Sequence, residues 1–303
     1  MRKIAIVIHG GAGNMTPYLK KHAEESRECM EQALQTGYQL LKKGKRSVDA
    51  VEAAVMILED NVFFNAGRGS ALNTKGEVEM DASIMEGKNL KAGAVSIVRN
   101  VKNPIFLARQ VMTKTKHVFL SGYGALELAK FHNVNLEPDE YFITEYQLEL
   151  FQKYQEKLAA QTKMRKKSHG TVGAVAIDQA GNVAAATSTG GTYYSLPGRI
   201  GDSCIIGAGC YANNKTCAVS GTGEGELLIR HVVGHTISML VELKKMPIQK
   251  ACDHVIHQRA FYPRGDMGVI SINKKGEIGI AFNTKSMRRG FIDKDGKLNI
   301  EFY

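Results

Sequence analysis

The chain opens on a continuous apolar run, IAIVI at 4–8, with the length and character of a strand buried on both faces. It ends in HGGAG, which reads as a glycine turn. From 24 to 43 the pattern turns helical. Cys29, Ala33, Leu34, Gly37, Leu40 and Leu41 recur at helical spacing, and Gly44 stops the run. Ser47 is placed to cap a second helix, DAVEAAVMILED, whose alanines predict close packing on something flat. FNAGRGSALNTKGEVEMDASIMEGKNLKAGAVSIVRN reads as turn, strand, turn, strand, with Lys75-Gly76 and Gly87-Lys88 at turns. Helix returns at 104–112 and 124–131, with HVFLSG between them as a buried strand. Residues 140–160 are helical and pass into a polar, basic run.

The second half repeats the scheme. TVGAVAID alternates, with Val172, Ala174 and Ala176 on one face and Gly173, Val175 and Ile177 on the other. Strand 171–178, a turn at Gln179-Ala180-Gly181 and strand 182–189 make a hairpin. CIIGAGCYAN and TCAVSGTG form a second pair, helices follow at 225–245 and 248–259, and MGVISINKKGEIGIAFN closes as a hairpin turning at Lys275-Gly276. Strands, helices and strands in both halves predict an α/β fold, two sheets sandwiched between helical layers, in a single domain over 1–303. The basic run is its one break, and a structureless stretch of about 15–20 residues calls for a functional reason.

Composition adds little beyond glycine. The 31 glycines among 303 residues cluster in HGGAG, FNAGRG, STGG, GAG and SGTGEG, which points to tight turns and close backbone approach. No apolar run nears the ~18 residues of a membrane span. MRKIAIVIHGGAG is too short in its apolar part for a signal peptide, and five cysteines without framework spacing read as reduced thiols, so the expected setting is the cytoplasm. The net charge of +10 raises a nucleic-acid partner. Residues 151–170 hold six basic side chains (Lys153, Lys157, Lys163, Arg165, Lys166, Lys167) against one acid, Glu156, which is half the excess. No binding motif or interleaved aromatics accompany them, so neither nucleic acid nor membrane is expected as a partner.

The point of chemical interest is the bond between Gly170 and Thr171, where the basic run meets the best-defined strand. A threonine hydroxyl is a poor nucleophile without a base at hydrogen-bond distance. A cut before Thr171 would turn its own nitrogen into that base, an α-amine with a reference pKa of about 7.7–8. The same residues also suit a plain loop-to-strand junction, since β-branched residues favour strands. Other polar groups sit at strand ends beside glycines: Thr189 in TSTGG, Arg199 and Asp202 in LPGRIGDS, and Thr222 in SGTGEGE. His231 and His235 have metal-like i, i+4 spacing but lack the glutamate of a zinc-protease helix. They read as structural, as do His254 and His257, and no metal ligands are assigned. Cys210 and Cys217 read as inert core residues, and His169 as a loop residue beside the scissile bond.

Taken together, HGGAG at 9–13, FNAGRG at 64–69, LKAGAV at 90–95, HGTVGAVAID at 169–178, GNVAAATSTGG at 181–191, LPGRIGDS at 196–203, GAGCYANN at 207–214 and SGTGEGE at 220–226 resemble the plant-type asparaginases. These are the isoaspartyl peptidase/L-asparaginase branch of the N-terminal-nucleophile hydrolases. The resemblance runs from residue 4 to about 284. It implies an αββα four-layer sandwich of that class, cut between Gly170 and Thr171 into an α subunit (1–170, with a basic tail over about 152–170) and a β subunit (171–303). Thr171 would be the nucleophile and Thr189 would orient its hydroxyl. Thr222 and the Gly223 N–H would form the oxyanion hole. Arg199 would grip the substrate α-carboxylate and Asp202 its α-ammonium, with Gly225 lining the pocket.

The implied substrates are L-asparagine and β-aspartyl dipeptides, and the implied assembly is an (αβ)2 heterotetramer. No cofactor is implied, except a structural sodium ion on main-chain carbonyls of Leu58, Glu59, Asn61, Phe64, Ala66 and Arg68. One departure stands out. The family commonly reads TGTGE where this chain has Thr222-Gly223-Glu224-Gly225-Glu226, and Glu224 is expected to face outward as a helix N-terminal acid. Two other functions remain open. HGGAG after a strand suits a non-enzymatic α/β protein binding a phosphate or nucleotide, although no GxGxxG or GxxxxGK[ST] follows. An enzyme of the same fold acting on a glycosylated asparagine fits less well, because HGTVG differs from that branch's motif.

Overall fold

The computed structural model describes residues 4–160, 170–258 and 265–303. Strand β1 (Ala5–Gly13) leads to helices α1 (Pro17–Lys21), α2 (Ala23–Lys42) and α3 (Ser47–Glu59), then to strands β2 (Met80–Glu86) and β3 (Ala92–Val98). Helix α4 (Pro104–Lys114), strand β4 (Phe119–Ser121) and helices α5 (Gly122–Phe131), α6 (Asp139–Phe142) and α7 (Glu145–Ala159) complete the first half. The second half holds β5 (Val172–Ile177), β6 (Val183–Thr189), β7 (Cys210–Ala212) and β8 (Cys217–Gly223). Helices α8 (Gly225–His231), α9 (Val233–Lys244) and α10 (Ile248–Asp253) follow, then β9 (Met267–Asn273), β10 (Ile278–Phe282), β11 (Ser286–Ile292) and β12 (Leu298–Glu301).

The strands make two sheets, one of eight strands in the order β12-β11-β1-β5-β6-β2-β3-β4 and one of four in the order β10-β9-β8-β7. Side chains alternate across each strand, and three apolar clusters follow from that alternation. Ile6, Ile8, Val172, Ala174 and Ala186 face α2, α3 and α4. The opposite faces, with Val7, Val175 and Ala185, meet Ala218, Ile270 and Ile272 of the smaller sheet. The far face of that sheet, through Val219 and Val269, packs on Leu228, Ile237 and Cys252 of the later helices. Small residues on β5 and β6 let the layers approach closely.

Several elements differ from the sequence expectation. HGGAG is not a turn; β1 runs through it, with a register shift between His9 and Ala12. Ser47 does not cap α3. It is the first helical residue, and its N–H donates to Asp178 Oδ2 at 3.1 Å, a carboxylate lent by the β5–β6 turn. HVFLSG yields only the three-residue edge strand β4, with Val118 and Phe119 exposed. Helix 140–160 is two helices, α6 and α7. The 204–209 half of CIIGAGCYAN is turn rather than strand. Helix 225–245 breaks at Val232, which adopts the left-handed conformation (φ 46°), so His231 and His235 lie on different helices. Helix 248–259 is α-helical only to Asp253 and continues as a π-turn through His254–Gln258; residue 259 lies outside the described residues. Strands β11 and β12 were not anticipated, because Arg288 and Arg289 mask the alternation of SMRRGFI.

Gly37 reports on the fit of α2. A Cβ there would overlap Ile6 Cδ1 and stand 3.0 Å from the Ala50 carbonyl oxygen. Gly37→Ala should therefore lose about 1–2 kcal/mol in urea unfolding, because overpacking outweighs the helix-propensity gain of roughly 1 kcal/mol. An unchanged or raised midpoint would show that α2 does not press on β1.

Candidate active site

Thr171 stands one residue before β5, beside the seam between the two sheets. Its position is set by its main chain. β1 pairs antiparallel with β5, placing His9 opposite Gly173. The absence of a Cβ at Gly173 matters, since one would overlap Ser220 Oγ and come within 2.5 Å of His9 Nε2. In that space His9 Nδ1 meets the Thr171 carbonyl at 2.9 Å and Nε2 meets Ser220 Oγ at 2.8 Å. The carbonyl can only accept, so Nδ1 carries the proton and Nε2 accepts from Ser220. Thr187 Oγ1 donates to the Gly209 carbonyl at 3.0 Å and lies 2.8 Å from Ser220 Oγ. The Gly209 carbonyl also accepts the Gly221 N–H at 2.8 Å. Hydrogen bonds thus link Ser220 through His9 to Thr171, with Thr187 packed against Ser220. Burial pushes His9 down to about 3, so the ring is neutral.

Three threonine hydroxyls meet at this point. Thr171, 4% exposed, donates from Oγ1 to Thr189 Oγ1 at 3.4 Å, and its N–H points to Thr222 Oγ1 at 3.4 Å. Both contacts are at the long end of hydrogen bonding and leave room to tighten. Thr222 Oγ1 also accepts the Ala12 N–H (3.2 Å), and Thr189 Oγ1 the Gly191 N–H (3.2 Å). Each hydroxyl therefore keeps its proton to donate elsewhere. Gly223, at φ 127°, has no room for a Cβ against the Asp266 carbonyl. Gly170 lies against Gly11, where a Cβ would overlap Gly170 Cα.

Arg199 and Asp202 converge on Gly225, where a Cβ would fall 2.9 Å from both Arg199 Nη2 and Asp202 Oδ1. They are not a surface ion pair. Asp202 is 3% exposed, and its Oδ2 is buried without a hydrogen bond. Burial raises its carboxyl to about 6, against the pull of Arg199. The Arg199 guanidinium bonds Glu226 through Nε at 3.1 Å and Nη2 at 3.0 Å. Beside them opens a cleft of about 1090 Å³ lined by Arg199, Gly223, Glu226 and Tyr194 among others. Glu224 borders the same cleft, is exposed, and occupies the N-cap position of α8.

The structure thus brings Thr171, Thr189, Thr222 and Gly223 together, with Arg199, Asp202 and Gly225 as a second group at the cleft. His254 and His257 fall in the π-turn, and Cys210 and Cys217 are buried thiols pushed up to about 12 by burial. His169 lies outside the described residues. Among the described residues no cluster of His, Cys, Asp or Glu could hold a metal ion. Sequence reasoning missed His9, Ser220, Thr187 and Glu226. His9 follows an apolar run into a glycine cluster, and Glu226 lies two residues beyond Glu224 in the same glycine-rich motif. The only signal for His9 was a polar residue directly after a wholly apolar run.

The asparaginase family profile matches residues 2–301. The chain is similar to an isoaspartyl peptidase/L-asparaginase of Bos taurus, 43% identical over 99% of this chain and 96% of the relative. An enzyme of the same name from Homo sapiens is 44% identical over the same shares. An isoaspartyl peptidase of Escherichia coli is 38% identical over 96% of this chain and 93% of its own.

The buried imidazole gives a pH signature. The unfolded histidine takes up a proton below 6.5 and the folded one does not until about 3, so His9 lowers stability as pH falls through that window. His9→Phe keeps the ring volume but orphans Ser220 and the Thr171 carbonyl. Urea unfolding at pH 7 should show a loss of about 1–3 kcal/mol, and the variant should lose less stability than the parent between pH 6.5 and pH 5. An equal pH slope in both proteins would contradict a buried neutral His9.

Proposed function

The chain is a hydrolase that belongs to the asparaginase family, and from that premise we propose that it cleaves itself and then releases L-aspartate from L-asparagine and isoaspartyl (β-aspartyl) dipeptides. The observation that carries this reading is the convergence on Thr171, whose hydroxyl meets Thr189 and whose nitrogen meets Thr222 in a buried setting. An amide nitrogen is no base; an amine is. Attack by Thr171 Oγ1 on the Gly170 carbonyl carbon breaks the amide, moves the acyl group to oxygen as an ester, and frees the nitrogen. Water then splits the ester into a Gly170 carboxylate and the Thr171 hydroxyl. The products are an α subunit, 1–170, and a β subunit, 171–303, of one domain. The three apolar clusters support layering in the order α-β-β-α, and the assembly proposed is (αβ)2.

In turnover the Thr171 amine takes the hydroxyl proton while Thr189 orients the oxygen. Arg199 binds the substrate α-carboxylate and Asp202 the α-ammonium, presenting the side-chain carbonyl to Thr171. The spare proton of Thr222 and the Gly223 N–H receive the developing oxyanion, where one donor is worth about 10²–10³ in rate. Ammonia, or the amino group of the second residue, leaves with a proton, and water hydrolyses the β-aspartyl ester.

Main-chain carbonyls of Leu58, Glu59, Asn61, Phe64, Ala66 and Arg68 are proposed to hold a sodium ion of purely structural role. Hard cations take oxygen donors, and main-chain carbonyls supply them whatever the side chains. No helix among the described residues is long and apolar enough to cross a membrane, and the cytoplasm is the proposed location.

Thr171→Ala should run as one full-length chain on a denaturing gel and release no ammonia from L-asparagine, while the parent runs as two fragments and acts on both substrates. An intact parent chain that releases ammonia would contradict the mechanism. Glu224→Thr should change kcat by less than about twofold, since an exposed N-cap carboxylate lies off the reaction path. A rise of about tenfold would mean that the carboxylate opposes the oxyanion.

A further inference from the structure

The loop that carries the head-group pair has little regular structure of its own. Arg199 follows a turn, and Asp202 opens a single 3-10 turn, Asp202–Cys204. Such a segment needs an outside frame to hold two charged side chains at a fixed spacing. The frame comes from one face of β2 and the residue just before it. Glu79 Oε2 accepts the Gly198 N–H at 2.9 Å, Asp81 Oδ2 accepts the Gly201 N–H at 3.0 Å, and Ser83 Oγ donates to the Ser203 carbonyl at 2.5 Å. The spacing 79, 81, 83 is the period of a strand, so the three side chains share a face. They grip the loop on both sides of Arg199 and of Asp202. The middle rung is the most constrained. Asp81 is 2% exposed, and its other oxygen accepts the Ile97 N–H at 3.0 Å. Ile97 has φ 53°, a left-handed conformation costly for a β-branched residue, at an irregularity in the β2–β3 pairing. Asp81 also pairs across the sheet with Thr189.

We propose that Asp81, supported by Glu79 and Ser83, is a positioning residue that sets the spacing between Arg199 and Asp202 and so fits the site to a free α-amino-acid head group. The idea rests on the head-group role given above to Arg199 and Asp202. Asp81 touches no substrate. It acts through the Gly201 N–H, and its pairing opposite Thr189 ties that spacing to the strand that orients the nucleophile. Burial lifts Asp81 to about 6, while the two N–H donors and Arg199 favour its ionised form.

The test uses the matured enzyme. Asp81→Asn sets an amide NH₂ against one of two N–H groups, and loss of that contact should raise KM for L-asparagine about tenfold with kcat within about twofold. Inhibition by L-aspartate, which needs both ends of the pair, should weaken about tenfold, and inhibition by succinate, which lacks the ammonium, less than about twofold. Self-cleavage should keep its rate. Adding Ile97→Gly to Asp81→Asn should restore the thermal midpoint but not KM, separating strain from positioning. If Asp81→Asn alone fails to mature, this double variant and Ser83→Ala carry the same comparison, both with raised KM and unchanged kcat. The proposal is overturned if kcat falls with KM unchanged, if L-aspartate and succinate weaken equally, or if Ile97→Gly restores KM. A parent enzyme that L-aspartate does not inhibit would instead sink the head-group reading, and the positioning role with it, before any variant is made.

Discussion

The site depends on a polar stitch between two otherwise apolar sheet faces. His9 belongs to the eight-stranded sheet and Ser220 to the four-stranded one, and their 2.8 Å hydrogen bond spans the seam beside Thr171. A buried polar pair is tolerable only with partners, and both imidazole nitrogens here have one, Nδ1 the Thr171 carbonyl and Nε2 the Ser220 hydroxyl. Gly173 makes the stitch possible by leaving its side-chain volume to the imidazole. The consequence is geometric. Thr171 is fixed by its carbonyl before its hydroxyl does anything, and β8 is drawn close enough for Thr222 to meet its nitrogen.

Around that point, the partners of Thr171 and the head-group pair differ in kind. The described groups in hydrogen-bond contact with Thr171 are hydroxyls, backbone and an uncharged ring. The charges gather at Arg199, Asp202, Glu226 and Asp81. Glu226 holds the guanidinium side-on through Nε and Nη2, and Asp202 keeps one oxygen without a partner. A buried carboxylate oxygen left bare next to an arginine is poorly solvated by itself.

Much of this was legible in the sequence, and the limits have physical causes. Long periodic segments such as α2 and the β5–β6 hairpin follow from local pattern, which is strong where one face is buried. Thr171, Thr189, Thr222, Arg199 and Asp202 stand out in the sequence as glycine-flanked polar residues at strand ends, in motifs that together carry a resemblance. His9 does not, since its role exists only when β1, β5 and β8 are adjacent, a contact spanning 211 residues of chain. Asp81 was hidden inside MDASIME, where alternation cannot distinguish a polar residue facing solvent from one gripping a distant loop. Ser47 and Val232 were misread for a related reason, since a carboxylate from β5–β6 and a left-handed kink are tertiary facts that helical period does not report.

The central claim is that the Thr171 nitrogen must leave its peptide bond before the Thr171 hydroxyl can act on substrate. N-terminal sequencing of purified protein that is hydrolysing L-asparagine tests it most directly. Two termini are expected, one of them reading TVGAV, in proportion to the activity as the preparation matures. Full activity from material whose only terminus begins MRKIA would contradict the account.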